Sequence, residues 1–179
     1  MKINSKIFFG ILILFITLIS CDDPIPRRPV SHHTTSYMQE SVALNQQINT
    51  LEEKAILFYI AQDSLRKYKA SKNGFWYSKI NQNKNRKPIV GDEVLFEYEI
   101  LDLSNQLIYS KEEIGQVSYS IDKENLTTGL QEGLKLMREG EEVKFIFPSF
   151  KAFGFTGDRQ KIGVKQPLIY KVKLININK

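Results

Sequence analysis

Leu126-Thr-Thr-Gly129-Leu130-Gln-Glu-Gly133-Leu134-Lys-Leu-Met137 decides how the rest of this chain is read. Thr128 can cap a helix, with Gln131 three residues on. Leu130, Leu134 and Met137 then line one side of it, and Gly133 lets a neighbour approach closely. On both sides of this short helix the apolar period drops to two. Upstream, Phe75-Trp76-Tyr77-Ser78-Lys79-Ile80 is a short aromatic strand, followed by a polar loop over 80–88. Val94 to Leu101 sets Glu97 and Glu99 against Phe96 and Tyr98. Leu107-Ile108-Tyr109 resumes after a turn at Ser104-Asn105, and Val117 to Ile121 alternates again. Downstream, Val143, Phe145 and Phe147 share a face of the strand Glu142 to Phe147. Leu168 to Ile177 closes with Leu168, Tyr170, Val172 and Leu174 against Lys171 and Lys173. The residues between, 149–167, form a loop with three glycines, long enough to be either functional or disordered. One helix among antiparallel strands makes an α+β domain.

Before residue 74 the pattern is helical. Residues 37–48 are a loose helix with Val42, Leu44 and Ile48. Thr50-Leu-Glu-Glu53 reads as a capping box that starts a second helix over 51–68. Its apolar positions are Leu51, Ala55, Phe58, Tyr59 and Leu65, mixed with Ile56 and Ile60. Such a face covers one edge of the main domain or meets a partner.

The first residues are an address. Lys2 and Lys6 precede the apolar run Ile7 to Ile19. Thirteen residues reach only about 20 Å, short of the ~30 Å hydrocarbon core, so the run is a signal-peptide core. Leu18-Ile19-Ser20-Cys21 resembles the bacterial lipobox, which implies a lipid on Cys21. Acyl chains contribute roughly 0.8 kcal/mol per buried CH₂, so two or three hold a domain on a membrane. Residues 22–36, with three prolines, read as an extended tether. The domains are thus 1–20 signal peptide, 21–36 lipidated tether, 37–73 helical segment and 74–179 main domain.

Composition removes other classes. The chain has 179 residues, 42% hydrophobic, enough for one packed core. Its +5 charge is spread rather than clustered, and no nucleic-acid partner is expected. Loss of Lys2 and Lys6 with the signal peptide lowers the +5 to +3. One cysteine makes no internal disulfide, and adjacent His32 and His33 in a polar stretch make neither a metal site nor a triad. No cofactor is expected. A lipocalin-like carrier would need about eight strands, and only five or six are read here.

Three stretches together resemble the FKBP-type peptidyl-prolyl isomerase domain. They are Gly91-Asp92-Glu93-Val94 leading to Tyr98; Leu126 to Met137 with Glu139-Gly140; and Phe147-Pro148, Phe153-Gly154 and the last strand. The spacing G-x-x-E-G-x-x-x-M over Gly129 to Met137 is the most specific part. The likeness covers 74–179 and implies a curved antiparallel sheet wrapped on one short helix. The whole arrangement also resembles the FKBP lipoproteins associated with gliding motility in Bacteroidota.

The resemblance implies a prolyl pocket. Tyr98 is kept, and the last-strand aromatic is Tyr170. Leu130 stands where the family has a tryptophan floor. Leu126 and Thr127 precede it, with the Thr127 N–H as donor to the substrate carbonyl. Ile108-Tyr109 replace a Phe-Asp pair, Val117 replaces a wall aromatic, and Phe153 replaces a loop tyrosine. Tyr98, Thr127 and Phe153 are thus the expected catalytic positions. Ile108, Tyr109, Val117, Leu126, Leu130 and Tyr170 are the expected substrate contacts. Taken singly, Tyr98, Leu126, Leu130 and Tyr170 suit core packing; only their joint order points to a pocket. Two lost hydrogen bonds, at about 0.5–1.5 kcal/mol each, weaken such a site roughly ten- to a hundredfold. The implied function is an envelope-anchored prolyl isomerase, facing the periplasm and more readily placed on the outer membrane than the inner. It would act on proline-containing polypeptides and work with envelope machinery. The alternative is a non-catalytic chaperone or scaffold lipoprotein with a degenerate pocket.

Overall fold

The computed structural model describes residues 34–178. The signal peptide, Cys21 and most of the tether lie outside these residues. The chain from Glu40 onward forms one compact unit. Among the described residues no helix is long and apolar enough to cross a membrane.

The chain opens with helix α1 (Thr34–Gln62). Strands β1 (Lys69–Ala70), β2 (Trp76–Lys79), β3 (Glu93–Leu101) and β4 (Leu107–Tyr109) follow. Then come α2 (Lys111–Ile114), β5 (Val117–Ser120), α3 (Thr128–Leu134), β6 (Glu142–Phe147), a 3₁₀ turn (Ser149–Lys151) and β7 (Leu168–Asn178). The sheet runs β1-β2-β6-β7-β3-β4, with β5 also on β3, and every pairing is antiparallel. The α+β architecture expected from the periodicity is the one observed.

One expectation fails at the N-terminal side. The two helices read over 37–48 and 51–68 are a single helix that ends at Gln62. Thr50 is no cap: its hydroxyl donates to the Gln46 carbonyl at 2.8 Å. A Ser or Thr inside a helix can bond back one turn, so a capping-box pattern does not by itself break a helix. The docked face also differs from the one read. Glu52, Ile56 and Tyr59 are buried, whereas Leu51, Phe58 and Leu65 are exposed. Lys69–Ala70 and α2 were not read from the sequence; two and four residues are too short for periodicity to register.

The sheet is packed on both faces. On the inner face α3 lays Leu130 and Leu134 against Phe96, Phe145, Phe147 and Tyr170, with Met137 just beyond it. Close approach depends on two glycines. A Cβ on Gly129 would lie 2.6 Å from the Phe147 ring and 2.8 Å from the Lys151 carbonyl oxygen. On Gly133 it would lie 3.1 Å from the Phe145 ring. The helix start also shifts by one residue: Thr127 holds the cap position and makes no side-chain cap bond. Thr128 instead donates to the Lys151 carbonyl at 3.5 Å. Gln131 donates through Nε2 to the Leu126 carbonyl at 3.0 Å, fixing the chain just before α3.

On the outer face Ile56 and Tyr59 of α1 pack with Leu101, Ile146 and Ile169. Burying one such aliphatic side chain contributes about 1.5–3 kcal/mol. Lys144 of β6 is buried beneath the helix, where its ammonium donates to the Tyr59 hydroxyl and pairs with Asp63 at 3.3 Å. This explains why β6 is buried at Lys144 and Ile146 as well as at Val143, Phe145 and Phe147.

Candidate functional site

The inner face beside α3 gathers the expected site residues. β7 lies between β6 and β3, so Tyr170 is in register with Phe145 on one side and Ile100 on the other. Tyr98 projects from β3 on the same face and stacks on Tyr170, with ring centroids 5.6 Å apart and planes at 12°. Tyr98 also stacks on Phe96 at 5.7 Å, and Phe147 meets Tyr170 edge-on at 5.2 Å. Such pairs contribute about 0.5–1.5 kcal/mol each beyond area burial. Leu130 is buried in the same cluster. Tyr98, Ile108, Tyr109, Val117, Leu126 and Phe153 are partly buried against it.

Thr127 completes the arrangement. Its hydroxyl is buried and makes no hydrogen bond of good geometry. It nonetheless faces the Tyr170 hydroxyl closely enough to lower the pKa of that phenol. Burial is the larger effect and raises it, helped by Tyr98 and Asp158. Burial likewise raises the Tyr98 phenol. Both rings are therefore neutral at physiological pH. The Thr127 N–H precedes a helix, where backbone donors are left unpaired by the helix itself. Among the described residues, no acceptor takes it.

Sequence reading missed one polar group. The strand position where the family has an aspartate is Tyr109, but its hydroxyl donates to Asp158 of the 149–167 loop. Burial pushes the Asp158 carboxyl up, yet the bonds from Tyr109 and from the amides of Gln160 and Ile162 outweigh it and hold it low. The Tyr109 phenol is raised, first by its bond to that carboxylate. Lys161 stands 4.6 Å from the Tyr109 ring centroid and pairs with Glu113 at 2.5 Å. A carboxylate thus reaches this wall from the loop rather than from the strand. No sequence signal marks the partnership, because 49 residues separate the two. Ile162, buried and part of the same cluster, was also not read.

Among the described residues no group of three His, Cys, Asp or Glu side chains is placed to hold a metal ion. The site offers an apolar, aromatic-walled surface, a few hydroxyls, one carboxylate and an unpaired backbone donor. It holds no paired nucleophile and base. Such an arrangement can pack against an apolar substrate, and none of these groups is paired to attack one.

An antiparallel sheet packed on one short helix, with aromatics from its central strands beside the helix start, is the FKBP-like fold of the solved structures it superposes on. Residues 84–175, just over half the chain, match the FKBP-type peptidyl-prolyl cis-trans isomerase family, and the chain belongs to it. It is 31% identical over 110 residues to a probable FKBP-type peptidyl-prolyl cis-trans isomerase FkpA of Neisseria meningitidis, covering 61% of this chain and 40% of that one. It is 28% identical over 127 residues to the peptidyl-prolyl cis-trans isomerase Mip of Coxiella burnetii, covering 71% of this chain and 55% of that one. The chain thus spans about half the length of these relatives. Among solved structures, FkpA from Escherichia coli superposes with a TM-score of 0.61 at 17% identity, covering 99% of this chain and 84% of that one. An isomerase from Pseudomonas syringae superposes with a TM-score of 0.61 at 18% identity, covering 75% of this chain and 96% of that one. At these identities the superpositions speak for the fold.

Proposed function

We propose that this protein is an envelope-anchored peptidyl-prolyl cis-trans isomerase that assists the folding of exported proteins. The observation that carries the reading is the Tyr98–Tyr170 stack beside buried Leu130, with the Thr127 N–H at its edge. Rotation about an X–Pro bond faces a barrier near 18–20 kcal/mol, because conjugation is lost in the twisted amide. The twisted amide is less polar than the planar one. A dry aromatic wall therefore binds it better than the ground state, and that difference is catalysis. A thousandfold acceleration needs only about 4 kcal/mol of such difference.

In this reading Tyr98 and Tyr170 are the wall, Leu130 and Leu126 the floor, and Ile108, Tyr109, Val117 and Phe153 the rim. The Thr127 N–H holds the carbonyl before the proline. No residue has to gain or lose a proton. The test is a protease-coupled assay of a proline peptide with the chain from residue 22. Acceleration that grows with protein concentration supports the reading, and none over buffer at micromolar protein removes it. Leu130, standing where the family has a tryptophan, favours the second reading, a non-catalytic chaperone or scaffold. That reading requires Tyr98→Ala to leave function in the native host intact.

The proposed organisation is 1–20 signal peptide, 21–36 lipidated tether, 37–73 helical segment and 74–179 isomerase domain. Cys21 carries the lipid, and Cys21→Ala should abolish labelling by radioactive palmitate and release the protein from membranes. The likeness to the gliding-motility lipoproteins of Bacteroidota supports a role beside the motility or secretion machinery on the periplasmic side. Loss of spreading in a Cys21→Ala strain would support that placement.

A further inference from the structure

The 149–167 loop brings Phe153 and Asp158 to the candidate site, and its first turn rests on a residue of α1. Glu52 sits one helical turn before Ile56 on the docked stripe of that helix. Its carboxylate is buried and takes two hydrogen bonds from Ser149. The Ser149 N–H donates to Oε2 at 2.8 Å, and the Ser149 hydroxyl donates to Oε1 at 2.6 Å. Among the described residues no lysine or arginine forms an ion pair with it. A buried carboxylate is costly, and an aliphatic side chain would dock the helix at least as well. Ile56 and Tyr59 already supply the apolar contact. Docking alone therefore does not account for an acid here.

What the acid does account for is the turn. The Ser149 carbonyl accepts from Ala152 at 2.9 Å and from Gly154 at 2.8 Å, so the turn is built on the residue that Glu52 holds. On its other side the turn is seated on α3. The Lys151 carbonyl lies against Gly129 and Thr128, and the Lys151 ammonium pairs with Glu132 at 3.0 Å. Phe153 belongs to this turn and packs into the aromatic cluster. We propose that Glu52 is a positioning residue of the prolyl site, holding the Ser149–Gly154 turn from the outer helix so that Phe153 stands on the pocket wall. Helix α1 is then part of the machinery, and not only a cover for the sheet. The catalytic half of this inference rests on the isomerase reading; the structural half does not.

The test uses the full-length protein and three variants, Glu52→Leu, Glu52→Gln and Ile56→Ala. It measures thermal midpoint, kcat and KM on a proline peptide, and amide hydrogen exchange over residues 149–158. Glu52→Leu leaves the buried Ser149 N–H and hydroxyl without their acceptor, so it should lower the midpoint no further than Ile56→Ala does, yet exchange faster across that segment and lose about tenfold in kcat/KM, as misplaced site groups do. Glu52→Gln keeps the size and one acceptor and should fall between it and wild type. Ile56→Ala should lower the midpoint while leaving the segment's exchange and kcat/KM within about twofold, because it loosens docking without touching Ser149. The inference is overturned if Glu52→Leu and Glu52→Gln leave exchange and kcat/KM at wild-type values. It is equally overturned if Ile56→Ala reproduces their losses in proportion to its midpoint. Should wild type itself show no acceleration, the isomerase reading falls, and the exchange measurement alone decides whether Glu52 holds the turn.

Discussion

Tyr98 is the residue on which the packing and the proposed chemistry meet. It is half-buried, stacked on Phe96 and Tyr170, and its hydroxyl makes no bond to another side chain of the described residues. Tyr98→Phe should therefore hold kcat/KM within about threefold, since the rings carry the wall. Tyr98→Ala removes two ring contacts and should cost about 1–3 kcal/mol of stability and at least tenfold in kcat/KM. Chemical denaturation and the coupled assay read the two effects separately, and equal activities for the two variants would remove the ring from the mechanism. Tyr109 and Asp158 make a second residue-scale test. If the pair acts as a unit, the variants Tyr109→Phe and Asp158→Asn are non-additive, and the double variant is no worse in kcat/KM than the worse single one. Additive losses would show two independent residues. The nine expected pocket positions come from the family resemblance, which assigns them by the order of its motifs; strand alternation alone reads residues such as Tyr98, Leu130 and Tyr170 as core. Asp158 and Glu52 could not be named, because their partners lie 49 and 97 residues away and no local pattern records a long-range hydrogen bond.

At the scale of elements, alternation was a sound guide wherever one sheet face met the core. Val94–Leu101 and Glu142–Phe147 were read within a residue of their observed limits, as was the closing strand. Helix α1 was misread because local signals compete with length. A Thr-x-x-Glu pattern is as compatible with the middle of a long helix as with the start of a short one. Its docked face was misread because half of that face is polar: Glu52 bonds Ser149, and Tyr59 receives the Lys144 ammonium. For α3 the governing feature is the absence of side chains. In a free helix Gly→Ala gains up to about 1 kcal/mol. At Gly129 the added carbon would sit 2.6 Å from the Phe147 ring and 2.8 Å from a backbone oxygen, so the sign reverses. Gly129→Ala should destabilise by about 1–3 kcal/mol, the usual cost of overpacking. Gly133→Ala meets only the Phe145 ring, at 3.1 Å, and should cost less. A urea series on both variants orders them, and a gain in midpoint for Gly129→Ala would contradict the packing described.

At the scale of the whole molecule, one sheet is gripped from both sides: α3 with the aromatic cluster inside, α1 with Lys144, Tyr59 and Asp63 outside. The outer grip is electrostatic as well as apolar, and so responds to pH. Burial raises the Asp63 carboxyl, but the bonds from Tyr68 and Lys144 and the charges of Lys144 and Arg66 bring it below its ordinary value of 3.8. A carboxyl held lower in the folded state than in the unfolded one binds fewer protons when folded. Its contribution to stability is complete well above pH 3.8 and is lost as the pH falls through that value toward the folded pKa. Tyr68 runs the other way: its phenol is raised by burial and by its bond to Asp63, so its contribution holds below pH 10 and is lost only above it. Between these limits neither group imposes a slope. The urea midpoint of the wild type should thus fall more steeply between pH 5 and pH 3 than that of Asp63→Asn, which starts lower and has no carboxyl at that position left to protonate. Because Asp63 ends the α1 grip on Lys144, the steep part should coincide with faster amide exchange in α1 ahead of that in β6 and β7. Parallel acid limbs for the two proteins would show that this network, though buried beneath the helix, does not hold the helix to the sheet.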